Sequence, residues 1–338
     1  MIKLQVVMRN TLLFTAFFLI QIKCSKETTQ ISEKNTDVSS ISNSENTNQS
    51  DESTTAEIIT PLSNDISKMK SLFEAFDGVT TSSDSDYFYV SSNGIPSHNM
   101  MEGITNWQQQ FPINQNYNGS NSWSIPIKPE FSDNPLSSES NFMKGAMAIA
   151  VNGIPIFNPL NNRGEDANLI GELDKWGGHC GKADDYHYHL PPTHLSDIVG
   201  IDNPIAYSLD GFPLFGKTNN TLDENLGLLN NDGSYSYYTV ESFPYFISKM
   251  KGKIVTSGSA PENQIIPHAQ SKGIRPALSP LKDAEITKFL NTGENSYQLV
   301  YRINNQEYTI DYLWDNEGHY FITFTDPVGN SETETYHR

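Results

Sequence analysis

The stretch from Gly177 to Pro192, GGHCGKADDYHYHLPP, concentrates side chains that can bind metal or carry out acid–base chemistry. Four of the eight histidines lie between His179 and His194, and three of them, His179, His187 and His189, fall within eleven residues. If Tyr186–His189 is extended, alternate side chains share a face. Tyr186 and Tyr188 then turn toward the core. His187 and His189 point the other way, with Cα atoms roughly 6.6 Å apart. Two imidazoles at that spacing can converge on one transition metal, which takes a third protein ligand and often a fourth. Gly177 and Gly178 let the backbone bend His179 inward as the third. Cys180, Asp184 and Asp185 are candidates for a fourth ligand, or for contacts that orient the imidazole N–H groups. His98, in the stretch PSHNMM, can join from elsewhere in the chain. Imidazole suits zinc, copper, iron or nickel rather than calcium. Zinc or copper is favoured, and copper gains if Met100 and Met101 accompany His98.

Spacing alone leaves other readings open. A His-x-His pair also arises on a polar strand face, or in a buried network of histidines and tyrosines. Cys180 permits a different chemistry, in which an imidazole lowers the pKa of the thiol and acts as its base. Whether the chain is an enzyme is therefore left open.

The elements that must hold these residues read as mainly β. The fold class expected is a β-rich α+β arrangement with few short helices. Asn/Asp-Gly-apolar-Pro recurs in SNGIPSHN (92–99), VNGIPIFN (151–158) and LDGFPLFG (209–216). The second and third copies follow strand-like runs, and Asn-Gly and Asp-Gly favour hairpin turns with positive φ. Two hairpins of one design are expected, Ala146–Phe157 and Ile205–Phe215, with their prolines on edge positions where no ladder donor is needed. A short helix is expected after Asn64 as its cap, with Ile66, Met69, Phe73 and Phe76 on one face. Toward the C-terminus, alternation through Tyr297–Ile303, Tyr308–Trp314 and Tyr320–Phe324 predicts a three-stranded antiparallel meander with an aromatic face. His319, at a strand start, reads as a solvated residue.

Bulk properties narrow the partners and the compartment. The net charge is −18. With no basic stripe, nucleic acid is excluded as a partner. Lys3 and Arg9 precede the apolar run TLLFTAFFLIQI, which is short for a membrane span and fits a signal-peptide core. Cys24 follows it, and a polar Ser/Asn/Thr-rich stretch follows Cys24. This pattern resembles a bacterial lipoprotein lipidated at Cys24, although Ile22 and Lys23 stand where small residues are usual. The organisation expected is a signal peptide over 1–24, a disordered tether over 25–64, a main domain over 65–285 and the meander over 286–338. The domain is thereby placed outside the cytoplasm, anchored to a membrane through lipid on Cys24 or else secreted.

GELDKWGGHCGKADDYHYHLPP together with PIAYSLDGFPLFG resembles the YHYH-domain family of exported proteins. The similarity extends through DYFYVSSNGIPSHNM, GITNWQQQFP, AMAIAVNGIPIFNPLNNRGE and IRPALSPL, about residues 86–281. The resemblance implies an extracytoplasmic domain and a site, but no established activity. Relatives carry a second histidine-bearing segment ahead of an aromatic-Pro-Tyr. Here the corresponding stretch is GSYSYYTVESFPYF, with Ser236 and Tyr238 where histidines are expected. If both segments form one site, that site is reduced here. The leading expectation is a tethered domain binding one transition metal through His179, His187 and His189. The alternatives are a surface adhesion or structural module with the histidines as cement, and a Cys/His or metal-assisted hydrolase.

Overall fold

Short hairpins, not helices, organise the chain in the computed structural model, which describes residues 62–338. The expected signal peptide, the expected lipidation site Cys24 and the expected tether up to residue 61 lie outside the described residues. The helix α1 (Ile66–Phe73) is capped by Asp65, whose carboxylate accepts from Lys68 N at 3.1 Å. The expected cap, Asn64, has another role: its amide donates to Pro126 O (3.0 Å) and Gly211 O (2.8 Å) and pins the segment to distant loops. Met69, Leu72 and Phe73 form the buried face of α1, whereas Ile66 is exposed and Phe76 lies beyond the helix end. The second α-helix among the described residues, α2, is the single turn Ser196–Val199. Neither helix is long and apolar enough to cross a membrane.

Strands β1 (Thr80–Ser83), β2 (Tyr87–Ser91) and β3 (Trp123–Pro126) form a three-stranded sheet. β4 (Phe131–Ser137) follows as a separate edge piece. The central sheet has eight strands: β5 (Ala146–Ala150), β6 (Pro155–Phe157), β7 (Gly178–Cys180), β8 (Tyr186–Tyr188), β9 (Ala206–Ser208), β10 (Pro213–Phe215), β11 (Gly227–Leu229) and β12 (Tyr235–Tyr238). Its spatial order is β11-β12-β10-β9-β5-β6-β8-β7. β13 (Lys249–Gly252) pairs with β4, and β14 (Val255–Ser257) with β15 (Gln264–Ile266).

The two expected hairpins, β5–β6 and β9–β10, are present and share one turn. Gly153 N donates to Ala150 O (2.8 Å) and Ala150 N to Ile154 O (2.9 Å); Gly211 N donates to Ser208 O (2.9 Å) and Ser208 N to Phe212 O (2.9 Å). Each loop is thus three residues closed by a glycine at positive φ, +77° for Gly153 and +97° for Gly211. This is the turn-plus-bulge hairpin rather than a two-residue turn with both central residues at positive φ. The prolines do not mark sheet edges, because β6 and β10 each have a neighbour on both sides. Pro155 and Pro213 are tolerated as the first residues of their strands.

The C-terminal sheet is a meander of five strands rather than three: β16 (Glu285–Gly293), β17 (Ser296–Ile303), β18 (Gln306–Trp314), β19 (His319–Thr325) and β20 (Ser331–His337). Its aromatic face is buried. Phe111 packs on Tyr312 with ring centroids 4.5 Å apart, and Tyr312 Oη donates to Pro112 O (2.8 Å). His319 Nδ1 lies 2.9 Å from Asp315 Oδ2 at the start of β19.

Candidate metal centre

The β7–β8 hairpin builds the site. Its register places His179 opposite His187, Gly178 opposite Tyr188 and Cys180 opposite Tyr186. Directly opposed residues share a face, and residues two apart in a strand do as well. His179, His187 and His189 therefore gather on one face, and Tyr186 and Tyr188 are buried on the other. His189 Nε2 lies 3.2 Å from His187 Nε2 and 3.1 Å from His179 Nε2. Among the described residues this triad is the group of His, Cys, Asp or Glu side chains arranged to hold a metal ion.

The hairpin's start is fixed by Asp174. Its carboxylate accepts from Trp176 N (2.8 Å), Gly178 N (3.1 Å), Met101 N (2.8 Å) and Tyr186 Oη (2.8 Å). Burial raises the pKa of Asp174, and these four donors oppose that rise. Gly178 must be glycine for want of space, since an added Cβ would overlap Tyr186 Oη and lie 2.8 Å from His187 O.

Hydrogen bonds to the outer nitrogens decide where the imidazole lone pairs point. His187 Nδ1 faces Asp185 O at 3.0 Å, with Asp185 Oδ2 at 3.6 Å. His189 Nδ1 is bonded to Asn158 O. These oxygens only accept, so each Nδ1 carries a proton, and Nε2 of a ring in its neutral form presents a lone pair. The Nε2 atoms of His187 and His189 face one another at 3.2 Å, and with both rings in the neutral form no proton lies between them. A cation resolves that conflict. Nitrogens around a tetrahedral ion with bonds of about 2.0–2.1 Å lie about 3.3–3.4 Å apart, close to the two spacings that His189 makes, while all three ligand atoms lie within 4.8 Å of one another.

Burial and mutual repulsion favour the neutral form of His189 and of His179, the form that metal binding requires. Burial, then the neighbouring His187, pushes His189 down to about 3. Burial, followed by His189 and His187, holds His179 well below the ordinary histidine value. Phe157 covers one side, its ring stacked on His187 at 3.9 Å and 15°. On the other side His179 is only half-buried and opens into a cleft of about 430 Å³. Arg163, Glu172, Asn161, Gln264 and His268 are among its walls. Glu172 is buried and held by Arg163 Nη2 (2.5 Å) and Asn161 Nδ2 (3.2 Å).

The remaining sequence candidates lie elsewhere or behind the triad. Strand alternation turns Cys180 to the face opposite His179. It is a free, buried thiol whose sulfur contacts Met101 Sδ at 3.6 Å. Burial, then Asp184, Asp185 and Asp174, pushes it well above the ordinary thiol value. His98 is also on the tyrosine side, with Nε2 2.6 Å from Tyr188 Oη, and Met100 and Met101 are core residues. Asp184 pairs with Arg275 through two contacts of 2.8 Å. Asp185 stands behind His187 and accepts from Ser271 Oγ at 3.0 Å. Sequence reasoning missed Asn158, Phe157, Glu172 and Asp174. The turn residues flanking β6 and the Asp-x-x-Gly-Gly spacing were the available signals.

Ser236 and Tyr238 lie on β12, five strands from β8, or about 24 Å at ordinary strand spacing. They line a separate cleft that shares no residue with the triad's. The absence of histidine there therefore removes no ligand from the triad.

Fold and site together describe a β-rich domain with three imidazoles converging beneath a cleft. Residues 122–230 match the family model described as YHYH protein. That span contains the triad and both hairpins, and is narrower than the resemblance over 86–281. No curated protein and no solved structure matches the chain.

Proposed function

We propose that this YHYH domain binds one transition-metal ion through Nε2 of His179, His187 and His189, on an exported and membrane-tethered chain. The observation that carries the reading is the approach of Nε2 of His187 to Nε2 of His189 at 3.2 Å while both Nδ1 atoms are engaged by backbone carbonyls. With Met100 and Met101 in the core, the donor set is three nitrogens, which suits zinc and leaves a fourth position toward the cleft. An ion held there would supply Lewis acidity or a bound water of lowered pKa. The chain's own residues fix the ring tautomers through Asn158 O and Asp185 O, exclude water on the Phe157 side, and shape the open side with Arg163 and Glu172.

The test is metal analysis of protein purified without a histidine tag, beside a His187→Ala/His189→Ala variant. One equivalent is expected in the parent and almost none in the variant. Near-zero metal in both, after equilibration with zinc and with copper, overturns the proposal. A second reading, the triad as structural cement, draws on the burial of His187 and His189. Chelation that unfolds the domain outright favours it, and a folded chelated domain whose melt falls only by the amount expected from the ion's affinity favours a functional ion.

A further inference from the structure

The central sheet is built twice. Each half is a hairpin followed by a second hairpin, whose last strand pairs parallel to the first hairpin's last strand. β6 runs parallel to β8, and β10 parallel to β12. The halves meet reciprocally between β5 and β9. Ala148 pairs with Ser208 and Ala150 with Ala206, about the central pair Ile149–Tyr207. Val151 N donates to Ile205 O (2.9 Å) and Leu209 N to Met147 O (2.8 Å), the mutual pattern of a two-fold axis.

The second hairpins correspond residue by residue at an offset of 49. Gly178, His179 and Cys180 oppose Tyr188, His187 and Tyr186; Gly227, Leu228 and Leu229 oppose Tyr237, Ser236 and Tyr235. Asp223 repeats Asp174: it accepts from Asn225 N (2.9 Å), Gly227 N (2.9 Å) and Tyr235 Oη (2.9 Å). Positive φ recurs at Gly177 and Leu226, and at Asp184 and Gly233. Asp185 O accepts from Gly181 N (3.0 Å) as Ser234 O does from Asn230 N (2.8 Å). Phe215 takes the place of Phe157, stacking on Tyr238 at 5.6 Å and 23°.

We infer that Leu228, Ser236 and Tyr238 occupy a latent second metal site, the copy in the second half of the positions held by His179, His187 and His189. The inference rests on reading the triad as a metal site. The second half keeps the hairpin, the aspartate anchor and an aromatic neighbour. It lacks nine of the residues that separate the two hairpins in the first half, the segment that brings Arg163 and Glu172 to the cleft. The carbonyls of Ser234 and Gly216 stand where those of Asp185 and Asn158 do, but nothing repeats Arg163 and Glu172 and Thr239 N already donates to Gly216 O (3.4 Å), so a grafted site should bind more weakly than the triad.

The experiment installs Leu228→His/Ser236→His/Tyr238→His both in the parent chain and in the His187→Ala/His189→Ala background, and measures zinc per chain at saturation. One additional equivalent is expected in each background. A folded graft that gains none overturns the inference. Metal content of the unaltered chain tests the first site separately, so the two failures are distinguishable. If the triple variant does not fold, an experimental structure of the parent decides. Residues 223–238 must superimpose on 174–189 through the backbone, and a mismatch overturns the inference.

Discussion

Replacing Gly178 by alanine tests how the hairpin positions the triad, and Gly227→Ala supplies a control from the same molecule. The added methyl at 178 would overlap Tyr186 Oη and lie 2.8 Å from the His187 carbonyl oxygen. Tyr186 is fully buried and cannot swing away, so its 2.8 Å hydrogen bond to Asp174 must break or β7 must move from β8. Losing a buried hydrogen bond to a charged acceptor costs about 1.5–3 kcal/mol. Forcing a methyl into a packed core costs about 1–3 kcal/mol more. The expected destabilisation is therefore about 2.5–6 kcal/mol, a large share of a typical domain's stability. Gly227→Ala meets the same obstacle, overlapping Oη and Cζ of Tyr235 and lying 2.7 Å from its Cε1, so its stability loss should be similar. The two should part at the metal. Moving His187's backbone disturbs the ligand geometry, and shifts of that kind weaken binding about 10- to 100-fold. Gly227→Ala disturbs only the second hairpin and should leave affinity unchanged. Urea unfolding of the chelated proteins gives the stabilities, and competition with a chromophoric chelator gives the affinities. A Gly178→Ala loss under about 1 kcal/mol would refute the packing argument. Equal weakening of metal binding by the two variants would refute the assignment of the site to the β7–β8 hairpin.

The metal-free protein should lose stability as pH falls from 7 to 5. His189 titrates near 3 when folded, because burial and His187 oppose its charge, and near 6.5 when unfolded. Between those values the unfolded chain holds a proton that the native chain does not, so this residue's contribution is complete above pH 6.5 and shrinks by about 1.4 kcal/mol per unit below it. Urea midpoints measured in chelator should therefore fall more steeply for the parent than for His189→Gln, and parallel slopes would refute the assignment. Cys180 should label slowly with a thiol reagent in native protein, equally slowly after chelation, and rapidly in denaturant. Rapid native labelling, or labelling that accelerates on chelation without unfolding, would contradict its placement against Met101.

The triad was legible because a strand's two-residue period acts over short distances. Once Tyr186–His189 is extended, His187 and His189 must share a face, and the hairpin register then brings in His179. The same rule, carried one residue further, puts Cys180 on the face opposite His179, although adjacency in sequence had suggested a shared site. What fixes the ring nitrogens was not legible. Asn158 contributes a backbone carbonyl, which any residue possesses, and Glu172 and Arg163 meet the cleft only through the fold. The outer strands of the meander escaped for a different reason. Ser331–His337, SETETYH, is an exposed edge with almost no apolar residue to set a period, and charge on an edge strand guards against pairing with other chains.

The duplication was half visible. The Asn/Asp-Gly-apolar-Pro echo marked the first hairpin of each half, because a tight turn constrains residue type. The second hairpins retain little common sequence beyond Asp174 and Asp223, Gly178 and Gly227, and the paired tyrosines at 186, 188, 235 and 237. These are the residues that the shared geometry requires: an acceptor for the strand's amides, a gap for the tyrosine hydroxyl, and two rings for the core. Positions on the other face carry no such demand from the backbone. Histidine at 179, 187 and 189 and Leu228, Ser236 and Tyr238 in the copy are both compatible with the hairpin. The hairpin backbone therefore does not require the histidines, and the second half, which folds the same way without them, is the internal comparison against which the proposed metal site is tested.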